Sequence, residues 1–343
     1  MSLLGAKLGV SLIFAAILGL SGCTSVPGFV SSTSGSIKEL SILSELGFTE
    51  QSPNLFPFRS WVRSGTLAVD SRDTRLLSNS VTAAGPQSRL FPIMVVFESD
   101  GAPWRALGYF PPPDPTPRRP VGAEIARALA QRFPGPVIYL GRHCQFLIPG
   151  RPDFSRRCTN SRLWARARFA PEVVSDFRQW LLHLVEENPG LQDRPWLLTG
   201  FSGGGTIAAL LATELPETKC LVTFAAPLDL RDWAQLQNLS PLYESLDPAD
   251  RSYAISRLPE LGIWLGNKDR VSPPASIGRL AIALGSRQEA IRLVDDVSHG
   301  SLEDWIGNAA TRIQNSCNLD YVEYSKDTEP SFSVTPPLSK DRP

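Results

Sequence analysis

Residues 196 to 215, with the sequence WLLTGFSGGGTIAALLATEL, decide the fold that we expect for this chain. An apolar run typical of a buried strand leads directly into a run with helical spacing of alanine and leucine. The turn between them contains G-x-S-x-G, formed by Gly200, Ser202 and Gly204, in the setting of strand, turn and helix that this motif requires. The stretch therefore predicts a sharp turn with a serine at the carboxyl end of a strand.

Ser202 has the setting of a catalytic nucleophile. The tight turn forces it into strained backbone angles, and positions 200 and 204 must lack bulk so that strand and helix can close on one another. The helix that starts at Gly203 presents N–H groups and a dipole that favour developing negative charge. A glycine-rich structural turn or a phosphate loop is the alternative, but a phosphate loop needs a lysine after its glycines, and none follows. We therefore expect Ser202 to be the nucleophile and the Gly203 N–H to be one oxyanion donor.

A serine hydroxyl needs an adjacent base, and the chain has three histidines. His183 lies in the helical run FRQWLLHLVEENPG, where a surface or packing role is expected. His143 precedes Cys144 in a loop. His299 follows the last predicted strand, in LVDDVSHGS, and the glycine beside it permits a loop that presents the imidazole at the carboxyl edge of the sheet. His299 is the predicted base, with a structural loop histidine as the alternative.

The predicted acid is Asp269, in IWLGNKDRVSP, where an apolar strand and a glycine turn precede the carboxylate. Such an aspartate orients the imidazole and stabilises the imidazolium. Three rivals stay open: Asp229, which follows the strand ending at Phe224, and the pair Asp295 and Asp296 near the histidine.

The second oxyanion donor is expected in the loop after the strand PIMVVF, where the chain continues as ESDGAPW over residues 98 to 104. The turn Asp-Gly-Ala-Pro resembles the His-Gly-x-Pro turn of many serine hydrolases, which places the donor at Ala102. Gly101 is the alternative donor, and an ordinary turn is the alternative role.

Apolar runs that alternate with longer helical patterns predict parallel strands joined by crossover helices. Continuous apolar strands such as PIMVVF indicate burial on both faces, so a mostly parallel twisted sheet with helices on both faces is expected. The predicted strands are 92–97, 136–140, 196–199, 221–224, 263–265 and 291–294, and the predicted helices are 122–133, 171–187, 203–214, 276–284 and 301–314.

The ends of the chain predict export and membrane attachment. Residues 1–22 carry one cation and an apolar run of 13 residues, too short for the roughly 20 that span a bilayer. Leu20-Ser21-Gly22-Cys23 resembles the bacterial lipobox, which implies a lipidated Cys23, removal of residues 1–22 and stable anchoring by several acyl chains. The expected location is the cell envelope, at the periplasmic face of the outer membrane if the cell is Gram-negative.

The domain organisation follows from these ends. Residues 23–55 are predicted to be the lipidated cysteine and a flexible tether, and residues 319–343 a disordered tail, since residues 25–36 and 326–343 hold few large apolar residues. Residues 56–318 then form one domain. Its insertion at about 227–259, with Trp233 and several leucines, is the candidate for a short cap over the pocket.

With these motifs the chain resembles the α/β-hydrolase superfamily over roughly residues 58–315, and more narrowly a group of uncharacterised bacterial α/β-hydrolase lipoproteins. The resemblance implies the α/β-hydrolase fold and the order Ser, Asp, His, and it implies no particular substrate. The matching segments are ESDGAPW, DPTPRRP, YLGRHCQF, the stretch from Cys158 into ARFAPEVV, GFSGGG and SPLYESLDP. The departures are His143, where proline is more usual, and Ser99, where glycine is common.

The other four cysteines form an even set in an oxidising compartment, so disulfides are expected. Cys144 and Cys158 are the natural first pair, and Cys220 and Cys317 are either a second pair or free thiols. The spacings do not suit zinc, and we expect no metal and no cofactor. Seven arginines between positions 142 and 168 are either a solvated, internally paired insertion or a cationic face for phosphate groups.

Thirty-four basic residues balance 34 acidic ones, so no overall attraction to nucleic acid is expected. The sequence predicts a lipid-anchored serine hydrolase acting on a small-molecule ester or acyl substrate, most simply by carboxylic-ester hydrolysis through an acyl-enzyme. Peptidase and thioesterase activity are alternatives within this class, because a triad defines acyl transfer and leaves the leaving group open. A non-catalytic envelope protein that binds a partner or lipid through the same fold is the rival class.

Overall fold

The computed structural model describes residues 40–51, 56–65, 91–101, 111, 114–151 and 154–319. The predicted signal segment, Cys23, Ala102 and the tail beyond residue 319 lie outside the described residues. Within the described ranges, no helix is both long enough and apolar enough to cross a membrane.

The described residues contain eight strands in one sheet: β1 Thr49–Gln51, β2 Ser60–Arg63, β3 Ile93–Phe97, β4 Val137–Leu140, β5 Trp196–Phe201, β6 Thr218–Phe224, β7 Glu260–Gly266 and β8 Ile291–Val294. Their order is β1-β2-β4-β3-β5-β6-β7-β8. Strand β2 pairs antiparallel with β1 and β4, and the other neighbouring pairs are parallel. The carboxyl ends of β3 to β8 therefore lie along one edge of the sheet.

Helices cover both faces of this sheet. Alternate residues of β3 belong to two separate apolar clusters, with Val95 on one face and Met94 on the other. Helices α3, α4 and α7 contribute to the first cluster, and α2 and α9 to the second. The α-helices are α1 Ser41–Glu45, α2 Val121–Arg132, α3 Pro171–Glu187, α4 Gly203–Ala212, α5 Leu230–Leu236, α6 Ser252–Ser256, α7 Gly278–Leu284, α8 Leu302–Gly307 and α9 Ala309–Cys317.

The prediction of a mostly parallel sheet with helices on both faces is confirmed, and the six predicted strands are present. The helix predicted at 301–314 is divided into α8 and α9 at Asn308, and the helix predicted from residue 276 becomes α-helical only at Gly278, after a 3₁₀ turn at Pro274–Ile277.

Two antiparallel strands, β1 and β2, were not predicted from the sequence. Both are short and lack a continuous apolar run, and β1 lies in the segment assigned to the flexible tether. The folded part therefore begins earlier than residue 56, since α1 and β1 are ordered and Leu40, Leu43 and Phe48 are buried. These three side chains join the apolar cluster on the face that carries α2, which explains why this part of the predicted tether is folded.

Two disulfides are present. Cys144 and Cys158 close the loop that follows β4, as predicted. Cys220 in β6 and Cys317 in α9 form the second pair, so the alternative of free core thiols is excluded for them. The second bridge ties the last described helix to a central strand of the sheet.

Candidate active site

The turn between β5 and α4 holds Ser202 in the geometry expected of the motif. Its backbone angles are φ 54° and ψ −129°, a left-handed region that side-chain-bearing residues rarely adopt. The glycines make the turn sterically feasible: a Cβ on Gly200 would lie 2.4 Å from the carbonyl carbon of Gly204, and a Cβ on Gly204 would lie 2.4 Å from the oxygen of Phe97. Only hydrogen fits at both positions.

The structure brings Ser202, His299 and Asp269 together at the carboxyl edge of the sheet. The Nε2 atom of His299 lies 3.1 Å from the Oγ atom of Ser202. Its Nδ1 atom lies 2.8 Å from Oδ2 of Asp269. Strands β5, β7 and β8 all end at this edge, with β6 between β5 and β7, and the three residues follow those ends. Residues far apart in the chain therefore meet there.

The environment of Asp269 determines the orientation of the imidazole. The backbone N–H groups of Val271 and Ser272 both donate to Oδ1, at 2.8 Å each, which leaves Oδ2 for the histidine. A carboxylate can only accept, so Nδ1 of His299 carries a proton and Nε2 is left as an acceptor for the serine hydroxyl. The Asp269 side chain is fully buried, and the His299 side chain is 18% exposed.

The rival acids make other contacts. Asp229 is fully buried and binds Arg279, with 2.7 Å between Oδ1 and Nη2, while it caps the start of α5. Burial raises the pKa of Asp229, but the hydrogen bonds from Arg279 outweigh this effect. The net pKa is therefore below its ordinary value. Asp295 accepts from the side chain of Asn267, and Asp296 pairs with Lys268. None of these contacts includes the histidine.

The two other histidines also lie outside this cluster. His183 is exposed on α3. His143 is buried, and its Nε2 atom lies 2.8 Å from Oδ2 of Asp176, which Arg157 also contacts at 2.7 Å. Burial lowers the pKa of the His143 imidazole, and because Arg157 already compensates the carboxylate, a neutral His143 fits this position.

One of the two predicted oxyanion donors can be placed. Gly203 is the first residue of α4, where backbone N–H groups have no carbonyl partner within the helix. Its N–H is therefore free to stabilise an anion beside Ser202. Ala102 lies outside the described residues, whereas its alternative Gly101 is described and has φ 67°.

Two acidic residues next to the site were missed as functional candidates. Glu98 is fully buried after β3 and accepts hydrogen bonds from Ser99, Gly122 and Tyr139. Burial raises the pKa of its carboxyl group, against the hydrogen bonds, which lower it. The signal in the sequence was a carboxylate directly after a wholly apolar strand.

Asp100 is the second missed residue, and its carboxylate packs against the turn. A Cβ on Gly203 would lie 2.2 Å from Oδ1 of Asp100, so the two residues are in direct contact. Arg142 donates to the same oxygen at 2.5 Å, and Nε of Arg168 lies 3.2 Å from Oδ2. Both arginines belong to the arginine-rich segment.

Five of the seven arginines in the arginine-rich segment fall into two groups, and Arg151 and Arg156 are exposed outside both. Arg142 and Arg168 are buried, with 4% and 3% of their surface exposed. Near the surface, Arg157, Arg162 and Arg166 pair with the chain's own carboxylates. These pairs favour an internally paired insertion over a cationic face for phosphate.

The insertion at 227–259 contacts the acid loop. It carries α5, a 3₁₀ turn at Pro248–Arg251 and α6. Trp233 of α5 is buried, and its indole N–H donates to the carbonyl oxygen of Val271 at 2.7 Å, two residues beyond Asp269. Leu236 and Tyr243 are exposed at 51% and 87%, so the insertion contributes one inward aromatic and several outward apolar groups.

The chain has the α/β-hydrolase fold, as the order of the strands and the helices on both faces of the sheet show. The serine turn after β5, the aspartate after β7 and the histidine after β8 occur in the order that this fold uses. No protein-family model matches the chain, and no curated protein is significantly similar to it.

Solved structures with a similar backbone fold include peptidases and esterases, all with low sequence identity to this chain. A puromycin-hydrolysing peptidase of Mycobacterium tuberculosis is 16% identical with a TM-score of 0.49, over 80% of this chain and 40% of that one. The esterase domain of a Rhodothermus marinus protein is 14% identical with a TM-score of 0.41, over 74% of this chain and 90% of that one. An esterase of Pyrococcus furiosus is 10% identical with a TM-score of 0.45, over 80% of this chain and 95% of that one. The chain thus spans less than half the length of that peptidase.

Proposed function

We propose that this chain is a serine hydrolase that cleaves a carboxylic ester through an acyl-enzyme. One observation carries the proposal: a serine in strained backbone geometry lies 3.1 Å from an imidazole whose other nitrogen lies 2.8 Å from a buried carboxylate. Nucleophile, base and orienting acid at such distances are the arrangement that activates a hydroxyl.

The mechanism follows from the atoms that face one another. Ser202 Oγ attacks the ester carbonyl carbon while Nε2 of His299 takes its proton, and Asp269 stabilises the imidazolium. The Gly203 N–H stabilises the oxyanion, with Ala102 as the proposed second donor. Nε2 then returns the proton to the leaving alcohol. A water molecule, deprotonated by the same nitrogen, cleaves the acyl-enzyme and restores Ser202.

Fluorophosphonate labelling of the mature chain, with read-out by intact mass, tests the nucleophile. We expect one adduct, which disappears in Ser202→Ala and weakens strongly in His299→Ala. Ser175→Ala, on α3 outside this cluster, is the matched control and should label normally. Labelling that persists in Ser202→Ala would move the nucleophile elsewhere, and a properly folded chain that never labels would favour a binding protein with the same fold.

The substrate class within hydrolases is tested by comparison of leaving groups. We expect hydrolysis of p-nitrophenyl butyrate to exceed that of the matched p-nitroanilide and of the matched thioester in kcat/KM. A preference for the anilide would favour a peptidase, and a preference for the thioester would favour a thioesterase.

We further propose that the mature chain begins at a lipidated Cys23 and is anchored in the bacterial envelope, at the periplasmic face of the outer membrane in a Gram-negative cell. The lipobox-like sequence supports this proposal. Metabolic labelling with an alkyne fatty acid should modify the wild-type chain and leave Cys23→Ser unmodified. Recovery of the Cys23→Ser chain with the membrane fraction in the same amount as wild type would contradict the anchor.

A further inference from the structure

A buried group of three charged residues lies directly beside the nucleophile turn. It consists of Asp100, Arg142 and Arg168, which we call the Arg-Asp-Arg cluster. Asp100 contacts Gly203, since a Cβ at that glycine would lie 2.2 Å from its carboxylate. The cluster therefore touches the residue that supplies the proposed oxyanion donor.

Each arginine of the cluster has a buried N–H donor without a hydrogen-bond partner within the described residues, Nε in Arg142 and Nη1 in Arg168, but Arg142 makes two other hydrogen bonds. Arg142 donates through Nη1 to Asp100 and through Nη2 to the backbone oxygen of Arg168, at 2.5 and 2.7 Å. Arg168 is only 3% exposed; its Nε atom lies 3.2 Å from Oδ2 of Asp100 without hydrogen-bond geometry, and its Nη1 atom finds no hydrogen-bond partner within the described part of the chain. A buried guanidinium with unused donors is costly unless another group completes it.

Arg168 is placed between the two sides of the site. Its Nε atom lies 3.2 Å from Asp100, which contacts the turn of the nucleophile. On the other side its guanidinium lies 5.3 Å from the ring centre of Trp233, whose indole donates to the acid loop at Val271. The aromatic face partly offsets the desolvation of the cation but offers no hydrogen-bond acceptor of the carboxylate kind.

The charges of the cluster do not balance. Both guanidiniums contact the single carboxylate of Asp100, at 2.5 Å for Arg142 and 3.2 Å for Arg168, whereas the Glu98 carboxyl group accepts hydrogen bonds from Ser99, Gly122 and Tyr139 instead. Burial also lowers the pKa of Arg142 and Arg168, but guanidinium stays protonated in proteins near neutral pH. Within the described residues the two guanidiniums thus share the contact to one carboxylate, and a buried charge ordinarily has a partner of its own.

We propose that the substrate supplies this partner, and that Arg168 binds a carboxylate carried by the acyl part of the ester. A planar guanidinium fork suits a carboxylate in both charge and geometry. The acyl part is assigned because the cluster contacts Gly203, where the carbonyl oxygen is held, whereas the leaving alcohol must receive its proton from His299. This inference rests on the proposed hydrolase function and names its substrate class: half-esters of short dicarboxylic acids.

The test compares two p-nitrophenyl esters of similar length, the neutral pentanoate and the mono-ester of glutaric acid, which carries a terminal carboxylate. We expect wild type to prefer the anionic ester in kcat/KM by about tenfold or more, because a buried charge pair is formed only with that substrate. In Arg168→Gln the ratio of the two kcat/KM values should fall by a similar factor. In Arg168→Lys, which keeps the charge but loses the planar guanidinium, this ratio should lie between the ratios of wild type and Arg168→Gln.

Arg162→Gln is the matched control, since Arg162 pairs with Glu172 and Glu244 outside the cluster, and its ratio should equal that of wild type. If Arg168→Gln does not fold, the wild-type ratio and the Arg168→Lys ratio still decide. A wild-type ratio near one, with Ser202-dependent hydrolysis of the neutral ester, overturns this inference and leaves the hydrolase proposal standing. Absence of both fluorophosphonate labelling and hydrolysis overturns the hydrolase proposal and this inference together.

Discussion

Individual atoms of Asp269 decide what His299 can do. Two backbone N–H groups occupy one carboxylate oxygen, and the other oxygen lies 2.8 Å from the imidazole. This division holds the ring in the tautomer that can accept the serine proton. Asp295, four residues before the histidine in the chain, contacts Asn267 instead, so proximity in sequence does not identify the acid.

Asp269→Asn should therefore lower kcat on p-nitrophenyl butyrate by about 10⁴-fold, as loss of an orienting carboxylate does in other triads. The amide nitrogen would face a donor and favour the wrong tautomer of His299. Asp295→Asn is the control and should leave kcat unchanged. Comparable losses in both variants would mean that the structure assigns the wrong acid.

Burial is the largest cause of the shifted pKa of His143. Its ring packs against Phe58 and Phe177, with centroids 5.4 and 4.9 Å apart, and its Nε2 atom lies 2.8 Å from Oδ2 of Asp176. Burial lowers the pKa of this imidazole from its ordinary value of 6.5 and outweighs the hydrogen bond to Asp176, which raises it. The positive charges of Arg157 and Arg142 lower it further.

Because the pKa of His143 is lowered in the folded state, the stability that its neutral form contributes is present above the ordinary pKa of 6.5 and is lost as the pH falls below it. Below pH 6.5 the unfolded imidazole binds a proton that the folded one does not. The free energy of unfolding of wild type, minus that of His143→Gln, should therefore decrease between pH 7 and pH 5, by at most about 1.4 kcal/mol per pH unit. Urea unfolding at several pH values measures this difference, and an increase on acidification would refute the assignment.

At the scale of elements, the contact between β3, β5 and α4 holds Ser202, the proposed nucleophile. Gly204 of α4 lies against the carbonyl oxygens of Phe97 and Glu98, where a Cβ would come within 2.4 and 2.6 Å. These neighbours are backbone atoms, which cannot move aside as a flexible side chain could. The helix can therefore approach the sheet only if this position carries no side chain.

Gly204→Ala should lower the free energy of unfolding by about 1–3 kcal/mol or more, because the added methyl group forces helix and strand apart. Gly307→Ala at the end of α8 is the matched control: a Cβ there meets nothing within 4 Å, and stability should not decrease. Chemical denaturation of both variants measures the effect. Equal stabilities would show that the strand and helix can separate without cost.

The sequence predicted the central elements well and the edges poorly. Strands β3 to β8 carry apolar runs that are recognisable without any tertiary information, and α3 was predicted with the bounds that the structure has. Strands β1 and β2 could not be recognised, since SWVR at positions 60–63 has no long apolar run. Its burial comes from antiparallel pairing with β4, a contact that joins distant parts of the chain.

At the scale of the whole molecule, the two disulfides close loops of very different length. Cys144 and Cys158 are 14 residues apart, whereas Cys220 and Cys317 are 97 apart and join β6 to α9. All four residues are similarly buried, so loss of their sulfur atoms should create comparable cavities. The difference between the bridges then reflects mainly the entropy of the unfolded chain.

Replacement of Cys220 and Cys317 by alanine should lower the free energy of unfolding by about 4.7 kcal/mol, against about 3 kcal/mol for Cys144 and Cys158, in the chain-entropy model. Guanidinium unfolding of the two double variants in parallel gives the comparison. A larger loss from the short loop would mean that local contacts in that loop, rather than chain entropy, dominate its effect.

The sequence by itself determined the serine turn, because strand, glycines and helix are contiguous and the constraint on each position is local. It also determined the class of fold, since alternation of strand and helix is written along the chain. Only the tertiary structure decided which carboxylate meets His299 and which arginines are buried beside Gly203. Those contacts join residues 30 to 97 positions apart, and they depend on the order in which strands pair and on which side chains lose water when the sheet is covered.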